Sequence, residues 1–321
     1  VSGPHCKAIK WRFPLSCNME STASHLHFTQ ILFSATMQEV LVLTQDNVLQ
    51  RWNVRDGGHK LVQEVNFQLD IKLVQLDDER FIVLVVSEGL VQIRSWYLMD
   101  LLQEFELPMQ EVEYIWDALY LPRHQFILAG GGHNPYYFID LRSGVLTPAF
   151  EEGMEPNDFA DFLACNADES LLVHSNTDQD HYFHIRSIDW PNLKLRFLHK
   201  FDGNLRYHCD VFVWHPTEEI LFNVAINEVN TYAVTAESFH RLSKLRHLVL
   251  DRKEEVEDKR SGAQFFEDSL YVASGQLLAQ FVDGSVQRQW NIPAIAQDLA
   301  IDRERRIAYI AMRSGFIGIA I

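Results

Sequence analysis

An all-β chain of repeated four-stranded units is what the sequence predicts. Three observations lead there: strand-like runs fill nearly its whole length, one turn-centred unit recurs seven times, and the last copy stops a strand short.

The recurring unit is an apolar run, a tight polar turn and a second apolar run. Its copies are "ILFSATMQEVLVL", "LVQLDDERFIVLV", "ALYLPRHQFILAG", "FLACNADESLLVH", "VFVWHPTEEILFN", "AQFFEDSLYVAS" and "LAIDRERRIAYIA". Their turns fall on Gln38, Glu79, His124, Glu169, Glu218, Asp268 and Glu304, at a mean spacing of about 44 residues, which is the length of a four-stranded propeller blade. A third strand, a turn and a fourth strand follow, most clearly in "VLQRWNVRDGGHKLVQEVNF", "YYFIDLRSGVLTPAF" and "LLAQFVDGSVQRQWNI". Four strands per unit make a blade, so the expected fold is a seven-bladed β-propeller.

The turns "CNADESLL" and "WHPTEEILF", and Arg51-Trp52-Asn53-Val54 followed by Asp56-Gly57, resemble the WD-repeat family. The resemblance implies a propeller that serves as a protein-interaction scaffold. Gly-His does not recur at the heads of the repeats, and Trp-Asp occurs only at Trp116-Asp117, in a first strand, so a lactonase-like propeller fits the same rhythm.

The last repeat has a first, second and third strand, ending in "GFIGIAI", and no fourth. Residues 7–13, "KAIKWRF", alternate polar and apolar as an outer strand does, after Val1-Ser2-Gly3, which resembles the turn in "IDLRSGVL". Residues 1–13 are therefore expected to supply the outer strand of the closing blade, removing an exposed edge. No Pro- or Gly-rich linker divides residues 1–321, which read as one domain with a charged insertion at 251–260, "DRKEEVEDKR".

The net charge of −16 excludes a general attraction to nucleic acid or to an anionic membrane, and an electrostatically chosen partner is expected to be basic. Cys6, Cys17, Cys165 and Cys209 contain no CxxC pair and do not form a disulfide framework, which favours the cytoplasm or another reducing compartment; only Cys6 and Cys17 suggest a pair. No run approaches the eighteen apolar residues of a membrane helix, and the chain reads as soluble.

Strand direction puts the fourth-to-first and second-to-third connections on one face, here the top. Aspartate recurs near the start of the first, innermost strand: Asp70, Asp117, Asp161, Asp210 and Asp298. The top loops add Asp46, Glu88, Asp178, Asp180 and Glu228 against Arg313. Such carboxylates repel unless solvated, hydrogen-bonded or paired with a cation. They are expected either to accept backbone N–H groups at the blade edge or to bind a Lys- or Arg-rich peptide, with a divalent cation as a further possibility.

Other patterns carry less. His25 and His27 share a strand face without a third ligand at readable spacing, and no metal or cofactor is expected. "AGGGHNPYY" lies between strands and lacks the Lys-Ser/Thr of a phosphate loop; it is read as a flexible loop with Tyr136 and Tyr137 near a contact surface. His181 and His184, beside Asp178 and Asp180, read as part of a solvated loop or as acid–base groups in a top cleft. Trp214-His215-Pro216 reads as packing and turn formation.

With no catalytic motif, the expected function is a non-catalytic platform that binds a basic protein segment through its acidic top face. The alternative is a propeller enzyme of lactonase or hydrolase type, with a metal or His/Asp site at the channel mouth.

Overall fold

The structure is a computed structural model that describes residues 28–71, 73–77, 82–87, 89–108, 117–131, 134–150, 162–176, 182–202, 211–225, 228–245 and 261–321. It is all-β, a β-propeller of small antiparallel sheets. The first blade is β1 (Phe28–Ser34), β2 (Glu39–Thr44), β3 (Val48–Asn53) and β4 (Lys60–Asn66). The second is β5 (Leu73–Asp77), β6 (Ile82–Ser87), β7 (Leu90–Ser95) and β8 (Leu101–Glu106), and the third β9 (Asp117–Leu121), β10 (Phe126–Gly131), β11 (Asn134–Asp140) and β12 (Leu146–Pro148). The fourth is β13 (Phe162–Cys165), β14 (Leu171–Asn176), β15 (Tyr182–Asp189) and β16 (Lys194–Asp202). The fifth is β17 (Val211–Trp214), β18 (Ile220–Ala225), β19 (Glu228–Val234) and β20 (Phe239–Leu245), and the sixth β21 (Ser261–Phe266), β22 (Ser269–Ser274), β23 (Leu277–Val282) and β24 (Ser285–Asn291).

These six blades each carry four strands in sequential order, as the period requires. The last sheet, β25 (Ala296–Asp302), β26 (Ile307–Met312) and β27 (Gly315–Ala320), has three. Seven complete blades were expected; six are complete among the described residues, and residues 7–13, expected to supply the fourth strand of the last sheet, lie outside them. The same holds for the insertion at 251–260, for His25, His27 and His181, and for Cys6, Cys17 and Cys209. Cys165 is a free thiol.

Apolar burial explains the ring. Among the described residues there are seven core clusters, and each draws its residues from two neighbouring sheets, including one that joins Ile31 and Val42 of the first blade to Tyr309 and Phe316 of the last sheet. A sheet packed on both faces loses polar–apolar alternation, which is why β2 and β22 are buried at every position. The outer strand β24 keeps the alternation.

Two local devices repeat with the blades. The first-to-second-strand turn ends on a residue with positive φ at Gln38 (53°), Gln125 (64°) and Arg306 (56°), just before β2, β10 and β26. The outer strand bulges against the third strand in the same place in five blades, opposite Arg51/Trp52, Ile93/Arg94, Ile185/Arg186, Thr231/Tyr232 and Gln280/Phe281. A bulge adds twist and interrupts an exposed edge.

Candidate functional site at the channel mouth

The innermost strand of each blade turns one edge to the channel and so has backbone N–H groups without a ladder partner. Side chains of the preceding sheet supply acceptors. Gln75 Oε1 accepts from Tyr120 N at 2.7 Å, Gln264 Oε1 from Ile301 N at 2.9 Å, and Asp298 Oδ2 from Ile31 N at 2.9 Å. Each bond ties neighbouring first strands and satisfies a donor that is costly to bury alone.

Asp298 sits four residues before the end of β25. Asp117 holds the same place in β9, and Asp161 and Asp210 fall at that offset from the ends of β13 and β17. In β21 the equivalent position is Gly262, where an added Cβ would stand 2.3 Å from the Leu299 backbone nitrogen. The closeness of β21 to β25 forbids a carboxylate there. Asp298 also accepts from its own neighbour, Leu299 N, at 2.8 Å through Oδ1.

Asp70 departs from the expected series. It precedes β5, seven residues before that strand's end, and is exposed. Its Oδ1 accepts from Asn47 Nδ2 at 2.7 Å, while Asn47 Oδ1 accepts from Ile71 N at 3.1 Å, so the pair clips two top loops together. Asn47 has φ 59° in the tight turn between β2 and β3, a conformation that asparagine tolerates well. Asp46 beside it is exposed. Glu88, Asp161, Asp178, Asp180 and Asp210 lie outside the described residues, and only the backbones of Asp117 and Glu228 are described.

Two expectations are corrected. Tyr136 and Tyr137 are not a contact surface: they belong to β11, and alternation buries Tyr136 against the fourth blade and Tyr137 against the second. His184 is in neither a solvated loop nor a cleft; it lies buried in β15, its ring edge-on to His174 at 5.0 Å. Beside it Arg186 Nε donates to His174 Nε2 at 2.9 Å, an arrangement that requires His174 to be neutral with its proton on Nδ1. Arg186 is sandwiched over the rings of Phe150 and Phe197. This cluster was missed because His174 shows no motif; cross-strand register alone sets it opposite His184.

Trp214-His215-Pro216 does form packing and a turn: Trp214 is buried with its Nε1 on Ala164 O at 3.2 Å, and His215 Nδ1 accepts from Glu218 N at 3.1 Å. The Cys165 thiol is pushed far up by burial and by the Glu169 and Asp168 carboxylates, so it is a poor nucleophile. Among the described residues no three His, Cys, Asp or Glu converge on a point that would hold a metal ion, and no helix is long and apolar enough to cross a membrane.

On the bottom face, the residue after the third strand decides how neighbouring blades meet. Trp96 is fully buried against the first blade, its Nε1 donating to Glu39 Oε2 at 2.9 Å. Trp190 stacks on His124 of the third blade at 3.5 Å and donates to Glu169 O at 2.8 Å. The Glu169 carboxylate takes Arg123 N at 2.9 Å and His124 Nδ1 at 2.7 Å. Between the second and third blades the same position is Leu141, and a small cleft opens, lined by Leu76, Asp77, Leu84, Ile93, Tyr120 and Ile127.

No family model matches the chain, and no curated protein matches it well enough to count as a relative.

Proposed function

We propose that the chain is a non-catalytic interaction platform whose top face binds a basic segment of a protein partner. In this reading the ring is seven-bladed and WD-like, with residues 7–13 completing the β25–β27 sheet, and it works in a reducing compartment. The observation that carries it is the shared position of Asp117, Asp161, Asp210 and Asp298, each four residues from the end of an innermost strand. Asp46 and Asp70, exposed on the same face, add to the potential, as does the net charge of −16. Glu88, Asp178, Asp180 and Glu228 complete the proposed set.

Asp298 spends its oxygens on backbone N–H groups, so in that blade the carboxylate also holds the ring. The two roles are compatible, because a hydrogen-bonded carboxylate keeps its charge. The test is titration of an oligo-arginine peptide into the protein and into the Asp117→Asn/Asp161→Asn variant. The variant should bind more weakly, with a shallower dependence on salt, at an unchanged melting temperature. A variant that unfolds, or one that binds as well as the parent, would leave these aspartates with a structural role only.

A further inference from the structure

The outer edges of the first two blades carry an apolar surface that the ring does not use. Bulges in β4 and β8 leave Val62 and Leu102 as the extra residues, and their predecessors Leu61 and Leu101 are exposed as well. Tyr97 and Leu98, in the turn leading into β8, extend the surface; the six range from 40% exposed at Leu61 to 62% at Tyr97. The two blades are pinned together there: Gln63 Nε2 of β4 donates to Leu98 O at 3.1 Å, and the Arg51 guanidinium lies 5.0 Å from the centre of the Tyr97 ring. The surface is therefore shared between blades.

Its charge points to the partner. Against one lysine, Lys60, the two strands and the turn between β7 and β8 expose Asp100, Glu64, Glu104 and Glu106. Glu64 and Glu104 are fixed by amide donors, Gln50 Nε2 at 2.8 Å and Gln92 Nε2 at 2.7 Å. The bulges break the row of backbone groups that an added strand would need, so recognition must go through side chains.

We propose that the outer face of the first and second blades docks an amphipathic helix of a protein partner, its apolar face on Tyr97, Leu98 and Leu102 and its flanking Lys or Arg residues on the acidic rim. The surface is separate from the channel mouth, so each proposal can fail alone.

The experiment uses a fluorescent helical peptide of leucine and lysine with its leucines on one face, and a scrambled peptide of identical composition. The amphipathic peptide should bind the full chain more tightly than the scrambled one. Leu98→Ser/Leu102→Ser should weaken it about tenfold, the scale of losing a packed anchor, whereas Leu242→Ser on the fifth blade should leave it unchanged. Circular dichroism checks the fold; if the double variant unfolds, Tyr97→Ser replaces it and should weaken binding in the same direction. Equal binding of the two peptides, or indifference to the serines, would overturn the proposal. So would a concentration-dependent dimer in sedimentation that the serine variant abolishes, because the occupant would then be a second copy of this chain.

Discussion

Two bottom corners of the ring are built on one plan and filled differently. Where the first blade meets the second, the residue after the third strand is Trp96, its indole fully buried and its N–H on the Glu39 carboxylate, while Arg51 Nε lies 3.6 Å from that carboxylate. Where the second meets the third, Leu141 stands in that position and a cleft remains. The repeat fixes a place, and each blade's own side chain decides whether the place is packed, polar or hollow. The buried Glu39–Arg51 pair is tolerable because the indole N–H and Trp96 O, which accepts from Arg51 at 3.3 Å, share its hydrogen bonds.

The largest effect should come from breaking the filled corner. Trp96→Ala removes the indole and one donor to Glu39, and should cost about 3–5 kcal/mol, read from denaturant unfolding. A loss below about 1 kcal/mol, the typical cost of an unremarkable substitution, would mean that Trp96 is not a keystone of this interface. Leu141→Phe tests the hollow corner in the opposite direction. It should raise stability by up to about 1 kcal/mol if the cleft takes the ring without strain; a loss of 1–3 kcal/mol, roughly the cost of overpacking, would show that the corner is already full.

The smallest effect is a pH slope at the junction of the last sheet with the first blade. There Val54 occupies the tryptophan position, and His59 packs edge-on to Phe316 at 5.1 Å, with Trp52 on the same ring. Burial lowers the His59 pKa from its ordinary 6.5, so the unfolded chain takes up the proton more readily than the folded one. Stability is therefore full well above pH 6.5 and is lost as the pH falls through 6.5 towards the lower folded value. Unfolding of His59→Gln should show a flatter profile between pH 7 and 5; an identical profile would remove His59 as a cause.

The sequence made the repeat legible because its signals are local: alternation, polar turns and apolar runs within about 45 residues. Asp117 and Asp298 lie in first strands as expected, while Asp161 and Asp210 lie outside the described residues. Asp70 was misplaced because counting from a turn cannot see that residues 67–71 are a connecting loop. Tyr136, Tyr137 and His184 were misread for a related reason: a residue's proximity to a loop in sequence says little about which blade face it turns to. Nothing local marks the Leu141 cleft, which appears only when Leu141 is compared with Trp96 and Trp190 at matching positions.

The chain by itself determined an all-β propeller rhythm, a bottom turn at Trp214–Pro216 and an acidic balance. Only the tertiary structure decided that Asp298 caps Ile31, 267 residues away in sequence, that Gly262 must lack a side chain because β25 passes against it, and that two neighbouring outer strands expose one apolar surface. Those facts depend on which strands become neighbours when the ring closes, and ring closure is a property of the whole chain that no short stretch encodes.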